Sequence, residues 1–125
     1  MNHYVPILQE YVCNTRFEFD QLIDHAGILV IRLNNNNSQL ELKFSSYVAY
    51  RKLDEGDALL TLSAMRNSGK TNKCLYRVDN SNFLTWFNTE RCGSMSNQCV
   101  THYSIAPAND IIDVLSLDFP EVRLR

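Results

Sequence analysis

QLELKF, residues 39–44, alternates strictly. Leu40, Leu42 and Phe44 point one way, and Gln39, Glu41 and Lys43 the other. In an extended chain successive side chains face opposite sides, so this pattern predicts a strand with one dry and one wet face. The segments around it extend the reading. HAGILVIRL (25–33) is apolar and rich in β-branched residues, and it predicts a central strand buried on both faces. Four asparagines, Asn34 to Asn37, suit the turn between the two, because Asn tolerates left-handed backbone angles. RFEFD (16–20) alternates like a short strand, and SSYVAY (45–50) continues the pattern, across a bulge. Asp54-Glu55-Gly56 reads as a turn. DALLTLSAM (57–65) reads as the next strand and KCLYRV (73–78) as another. With such short connections, residues 39–78 predict an antiparallel meander.

The second half predicts helices. Asp79 or Ser81 caps a helix reaching Arg91, with Phe83, Leu84, Trp86 and Phe87 on its apolar side and Gly93 beyond its end. CVTHYSIA (99–106) reads as a strand ended by Pro107. Asn109 is placed to cap a final short helix with Ile111, Ile112 and Leu115 on its apolar face, broken by Pro120. VRLR (122–125) is an edge strand or tail. At the N-terminus, Val5, Leu8, Tyr11 and Val12 fit a short helix, with Pro6 in its first turn. The expected fold is α+β: one antiparallel sheet of about five or six strands packed against two or three helices.

The chain has 125 residues, which suits a single compact domain spanning 1–125. Hydrophobic residues make up 45% and charged residues 21%, enough for a core and too little charge for wholesale disorder. A net charge of -2 argues against a duplex nucleic-acid binder, which needs a basic face. No apolar run is long enough to span a membrane, and the first residues lack the pattern of a secretory signal. A cytoplasmic protein is expected. In that setting Cys13, Cys74, Cys92 and Cys99 are expected as free, mostly buried thiols, and the Asn36-Asn37-Ser38 sequon carries no meaning.

MRNSGKT (65–71) ends like a phosphate-binding loop. The first glycine of that motif is missing, since position 64 is Ala, and a strand rather than a helix is expected after Lys70. A plain turn is the better reading. Arg66, Lys70, Lys73 and Arg77 form a mild basic run without intervening acid, best read as a solvated sheet face. A weak single-stranded nucleic-acid surface would need exposed aromatics beside it, for which Tyr47, Tyr50 and Tyr76 are candidates.

His102 is the best catalytic candidate, with Asp110 or Asp113 orienting its imidazole as a general base. Three residues apart, the two aspartates would share a helix face. Cys92, Cys99 and Ser104 are the nearby nucleophiles, and Ser104 shares strand parity with His102. In the plainer alternative, the aspartates favour a helix N-terminus and His102 is an ordinary sheet residue. His3, His25 and His102 are scattered, so no metal and no cofactor is implied.

Trp86 belongs to the helix–sheet seam or, because its apolar stripe is broad, to a binding surface. Glu41, Lys43, Lys73 and Arg77, on the wet side of the meander, are the other interaction candidates. The leading expectation is a non-catalytic protein-interaction or regulatory domain, of the immunity or inhibitor kind, that binds another protein or itself. A small hydrolase or transferase centred on His102 is the alternative. Nucleic acid is the least favoured partner.

Overall fold

The structure is a computed structural model that describes residues 2–12, 16–68, 74–93 and 99–125. Along the chain run β1 (His3–Pro6), α1 (Gln9–Val12), β2 (Glu18–His25), β3 (Ile28–Asn34), β4 (Gln39–Phe44) and β5 (Tyr47–Asp54). A 3-10 turn, Glu55–Asp57, leads into α2 (Leu59–Asn67), followed by β6 (Leu75–Asp79), α3 (Asn82–Glu90), β7 (Thr101–Ile105), β8 (Asp110–Ser116) and β9 (Glu121–Leu124). The fold is α+β, but the strands make two antiparallel sheets rather than one. The larger has the order β1-β6-β7-β8-β5 and the smaller the order β2-β3-β4-β9.

The QLELKF strand explains why there are two. Leu40, Leu42 and Phe44 are fully buried, and their neighbours on β3, Leu29, Ile31 and Leu33, are equally so. That six-residue face must be covered. Its cover is the larger sheet, through Leu75, Tyr103, Ile105, Ile112 and Val114. By the period of two, residues between these point away from the smaller sheet. There Tyr76, Val78 and Ile111 meet Tyr4, Ala58 and Met65, so α2 lies on the opposite face. The layers are therefore α2 and α3, larger sheet, smaller sheet, with Val12 of α1 reaching into the core between the sheets. Tyr47 and Tyr50 of β5 donate hydroxyl hydrogen bonds to Asp24 of β2, joining the two sheets along one side.

Several sequence expectations are corrected here. The meander expected over residues 39–78 does not form: consecutive strands pair from β2 to β4, but β4 does not pair with β5, which leaves to pair with β8, and β6 pairs with β1 and β7. β3 is wet on one face, with only Leu29, Ile31 and Leu33 fully buried. Residues 59–67 are a helix, not a strand. Ala58, Leu62 and Met65 fall at helical spacing and pack together, while Leu59 and Leu60 point to solvent. Residues 110–116 are a strand, not a helix. β8 lies between β7 and β5 and is buried on both faces, which suits its β-branched run. Asn109 adopts φ 71°, a left-handed turn residue rather than a helix cap. The proposed N-terminal helix is β1 followed by the short α1.

The packing makes a direct expectation. Leu42→Ala, at the centre of the inter-sheet core, should cost about 3 kcal/mol in denaturant unfolding. Lys43→Ala, on the opposite face of the same strand, should stay within about 0.5 kcal/mol. Equal costs would contradict the assignment of faces.

Candidate functional site

On the helix-facing side of the larger sheet four polar side chains form one hydrogen-bonded chain. It begins at the turn between β6 and α3. Asn80 takes φ 54°, which Asn adopts at low cost and which turns the strand into the helix. Ser81 is then the N-cap of α3, and its Oγ accepts from the Leu84 amide at 2.9 Å. The same oxygen lies 2.6 Å from His102 Nδ1. With neutral imidazole, the Ser81 hydroxyl donates to Nδ1 and the proton sits on Nε2. Nε2 is 2.7 Å from Asp113 Oδ1. The other oxygen, Asp113 Oδ2, accepts from Arg51 Nε at 3.0 Å.

Strand pairing supplies this geometry. Arg51 and Asp113 are directly opposite on β5 and β8, and Asp113 is opposite Ser104 on β7. His102 lies two residues before Ser104, on the same face, and reaches Asp113 diagonally. Phe83, in the first turn of α3, closes the chain from above. Its ring meets the His102 ring edge-on at 5.6 Å, and the Arg51 guanidinium lies 4.2 Å from its centroid. Trp86, one turn on, stacks against Phe83 at 5.7 Å and 19°.

Burial decides what these groups do. Ser81, His102 and Asp113 are buried, whereas the Arg51 side chain is 42% exposed. Burial pushes the Asp113 carboxyl up, but the hydrogen bond from His102 and then the Arg51 guanidinium outweigh it and hold the carboxyl below its ordinary range. A serine, a histidine and an aspartate in this order are the parts of a nucleophile–base–orienter relay. Here the serine oxygen is also a helix cap, and both imidazole nitrogens are engaged. The side chain that reaches solvent is Arg51, at the wall of a surface groove of about 310 Å³ lined also by Ala49, Tyr50, Phe83 and Trp86.

His102 and Asp113, singled out in the sequence, are thus brought together, across strands rather than through a helix. Asp110 points elsewhere and pairs with Lys52 at 2.9 Å. Ser104 is fully buried on the His102 face, and its hydroxyl has no partner among the described residues. Cys92 and Cys99 are free and exposed; Cys74 is free and buried, and burial pushes its thiol up to about 12. Cys13 lies outside the described residues. Among the described residues no group of three or more His, Cys, Asp and Glu side chains is placed to hold a metal ion.

The charged interaction candidates are dispersed. Glu41 and Lys43 sit on the outer face of the smaller sheet, Glu41 pairing with Arg32 at 3.0 Å. Arg77 belongs to the larger sheet and pairs with Asp79 at 3.0 Å. Lys73, like Gly69 and Lys70 of the expected turn, lies outside the described residues. Trp86 alone of that set borders the groove, and it is 53% exposed. Arg51, Phe83 and Ser81 were missed as site residues. Ser81 was legible as a cap, but no spacing links it to His102 or Arg51 to Asp113.

Among the described residues no helix is long and apolar enough to cross a membrane. No known protein family, curated protein or solved structure matches the chain.

Replacing Asp113 with Asn tests the buried chain. A carboxyl depressed on folding adds stability that is fully present above its unfolded value, near about pH 4, and is lost as pH falls through its folded value. The wild type should therefore exceed Asp113→Asn in thermal melts at neutral pH, and the gap should close below about pH 4. A gap independent of pH would contradict the depressed carboxyl. Asp113→Ala, which leaves Arg51 and His102 without their partner, should cost about 3 kcal/mol at neutral pH.

Proposed function

We propose that the chain is a non-catalytic protein-binding module, whose binding face centres on Arg51, Phe83 and Trp86. One observation carries this reading: an exposed Trp86 and a half-exposed Arg51 flank one groove, and both are held by a buried scaffold. Trp and Arg dominate the energetic centres of protein interfaces because each covers much area and makes directional contacts. Leu59 and Leu60 are 69% and 88% exposed on α2, and Arg51 and Leu60 line a second depression together. Apolar groups left in water at this density favour a partner surface over plain solvent.

A small hydrolase or transferase is the second reading, favoured by the Ser81–His102–Asp113 order. It requires Ser81 to give up its capping bond and meet a substrate while 6% exposed. Labelling of Ser81 in the intact protein by a fluorophosphonate, abolished by His102→Gln, would establish that reading over the first.

The binding reading is tested by photo-crosslinking in the native host. A benzophenone side chain at position 60 or 86 should give a discrete covalent product, and one at position 43 should not. A product of twice the chain mass would identify the partner as a second copy. Trp86→Ala should weaken the captured interaction by about 2 kcal/mol, roughly thirtyfold, while changing stability by less than about 1 kcal/mol. Equal crosslinking from position 43, or none from positions 60 and 86, would contradict the proposal.

A further inference from the structure

We infer that the open edge of β5 receives an extended segment of a partner protein, paired through its backbone and held at Arg51 by an acidic side chain. This rests on the protein-binding reading and adds the chemistry of the partner.

β5 is an outer strand. Among the described residues it pairs with β8 and with no other strand, so one side of its backbone from Tyr47 to Asp54 lies outside any ladder. Such an edge is a template for strand addition. The groove flanks this outer strand: Ala49, Tyr50 and Arg51 of β5 line one side of it. Phe83 and Trp86 form the opposite wall. In strand addition the main chain supplies affinity and wall pockets select side chains. An aromatic wall beside an open edge has both parts.

Arg51 gives the segment its charge. Its Nε is held by Asp113 at 3.0 Å, and its guanidinium stacks on Phe83. The two terminal nitrogens have no hydrogen-bond partner among the described residues. A guanidinium fixed on one edge presents its outer nitrogens as a fork that matches a carboxylate. Asp113, 2% exposed, neutralises Arg51 from within and does not occupy the groove. Further along β5, Lys52 is paired with Asp110, and Asp24 accepts from the hydroxyls of Tyr47 and Tyr50. An incoming carboxylate is repelled at the Asp24 end and finds its open donors at Arg51, which sets the register. A nucleotide would also supply an anion for Arg51 and a ring for Trp86, but it leaves the strand edge unused.

The test uses the full chain and a displayed library of random short peptides. The expected outcome is enrichment of β-prone sequences with Asp or Glu at one fixed position. In the synthetic peptide, changing that acid to its amide should weaken binding tenfold or more, about 1.4 kcal/mol. N-methylation of alternate backbone amides should abolish it. Both comparisons use wild-type protein, so folding of a variant is not at issue. Arg51→Lys should weaken the acidic peptide and leave its amide form nearly unchanged. Enriched peptides without a fixed acid, indifference to N-methylation, or no enrichment would overturn the inference. A nucleoside monophosphate bound in the groove with no peptide enriched would do the same. Peptides that need Trp86 but neither acid nor backbone would overturn it and leave the protein-binding reading standing. Absence of crosslinks from positions 60 and 86 would remove that reading itself.

Discussion

The hydrogen bond between His102 and Asp113 is the middle link of a buried chain that ties the start of α3 to the outer strand β5. It joins β7 to β8 inside the larger sheet, and each partner carries the connection one step outward. His102 passes it to Ser81 and so to the start of α3; Asp113 passes it to Arg51 on the outer strand. Removing such groups from water is costly, and the cost is recovered only when every donor and acceptor is matched. Ser81, His102 and Asp113 meet that condition among themselves, with the Leu84 amide and Arg51 Nε at the two ends. A carboxylate deprived of either neighbour would be a buried charge with half its support.

This arrangement has a consequence at the surface. Phe83 rests its ring against the imidazole and under the guanidinium, and Trp86 stacks on Phe83. The orientation of the groove walls is thus set by groups that never meet solvent. A long flexible side chain such as arginine ordinarily loses rotamer freedom when it binds. Here part of that loss is taken on folding, because Nε and the guanidinium face are already committed. Preorganisation of this kind favours recognition.

The wet-and-dry strand at 39–44, the helix at 82–90 and the strand at 101–105 were legible because local pattern and tertiary role agree there. Two segments deceived for opposite reasons. In residues 110–116 an Asn before an Ile-Ile pair and a later Leu imitates helical spacing, but the strand's identity comes from two neighbours distant in sequence. In residues 59–67 the leucines suggest a strand, yet Leu59 and Leu60 face water, and the spacing of Ala58, Leu62 and Met65 was the better guide. The division into two sheets was hidden, because it depends on where β5 goes after β4. His102 and Asp113 stood out by residue type, but their meeting is a cross-strand diagonal that a helix assignment for 110–116 would have prevented. Arg51 had no local signal, since its partner lies sixty-two positions away.

The most direct measurement of the central claim is the NMR behaviour of the Arg51 Nε–H. If a buried chain anchored at Ser81 fixes this guanidinium, its Nε–H resonance should exchange slowly with water in the wild type. That protection should fall in Ser81→Ala, although Ser81 is three hydrogen bonds removed and the amide spectrum still reports a folded protein. An Arg51 Nε–H that exchanges like those of solvated arginines, or one unaffected by Ser81→Ala, would contradict the account.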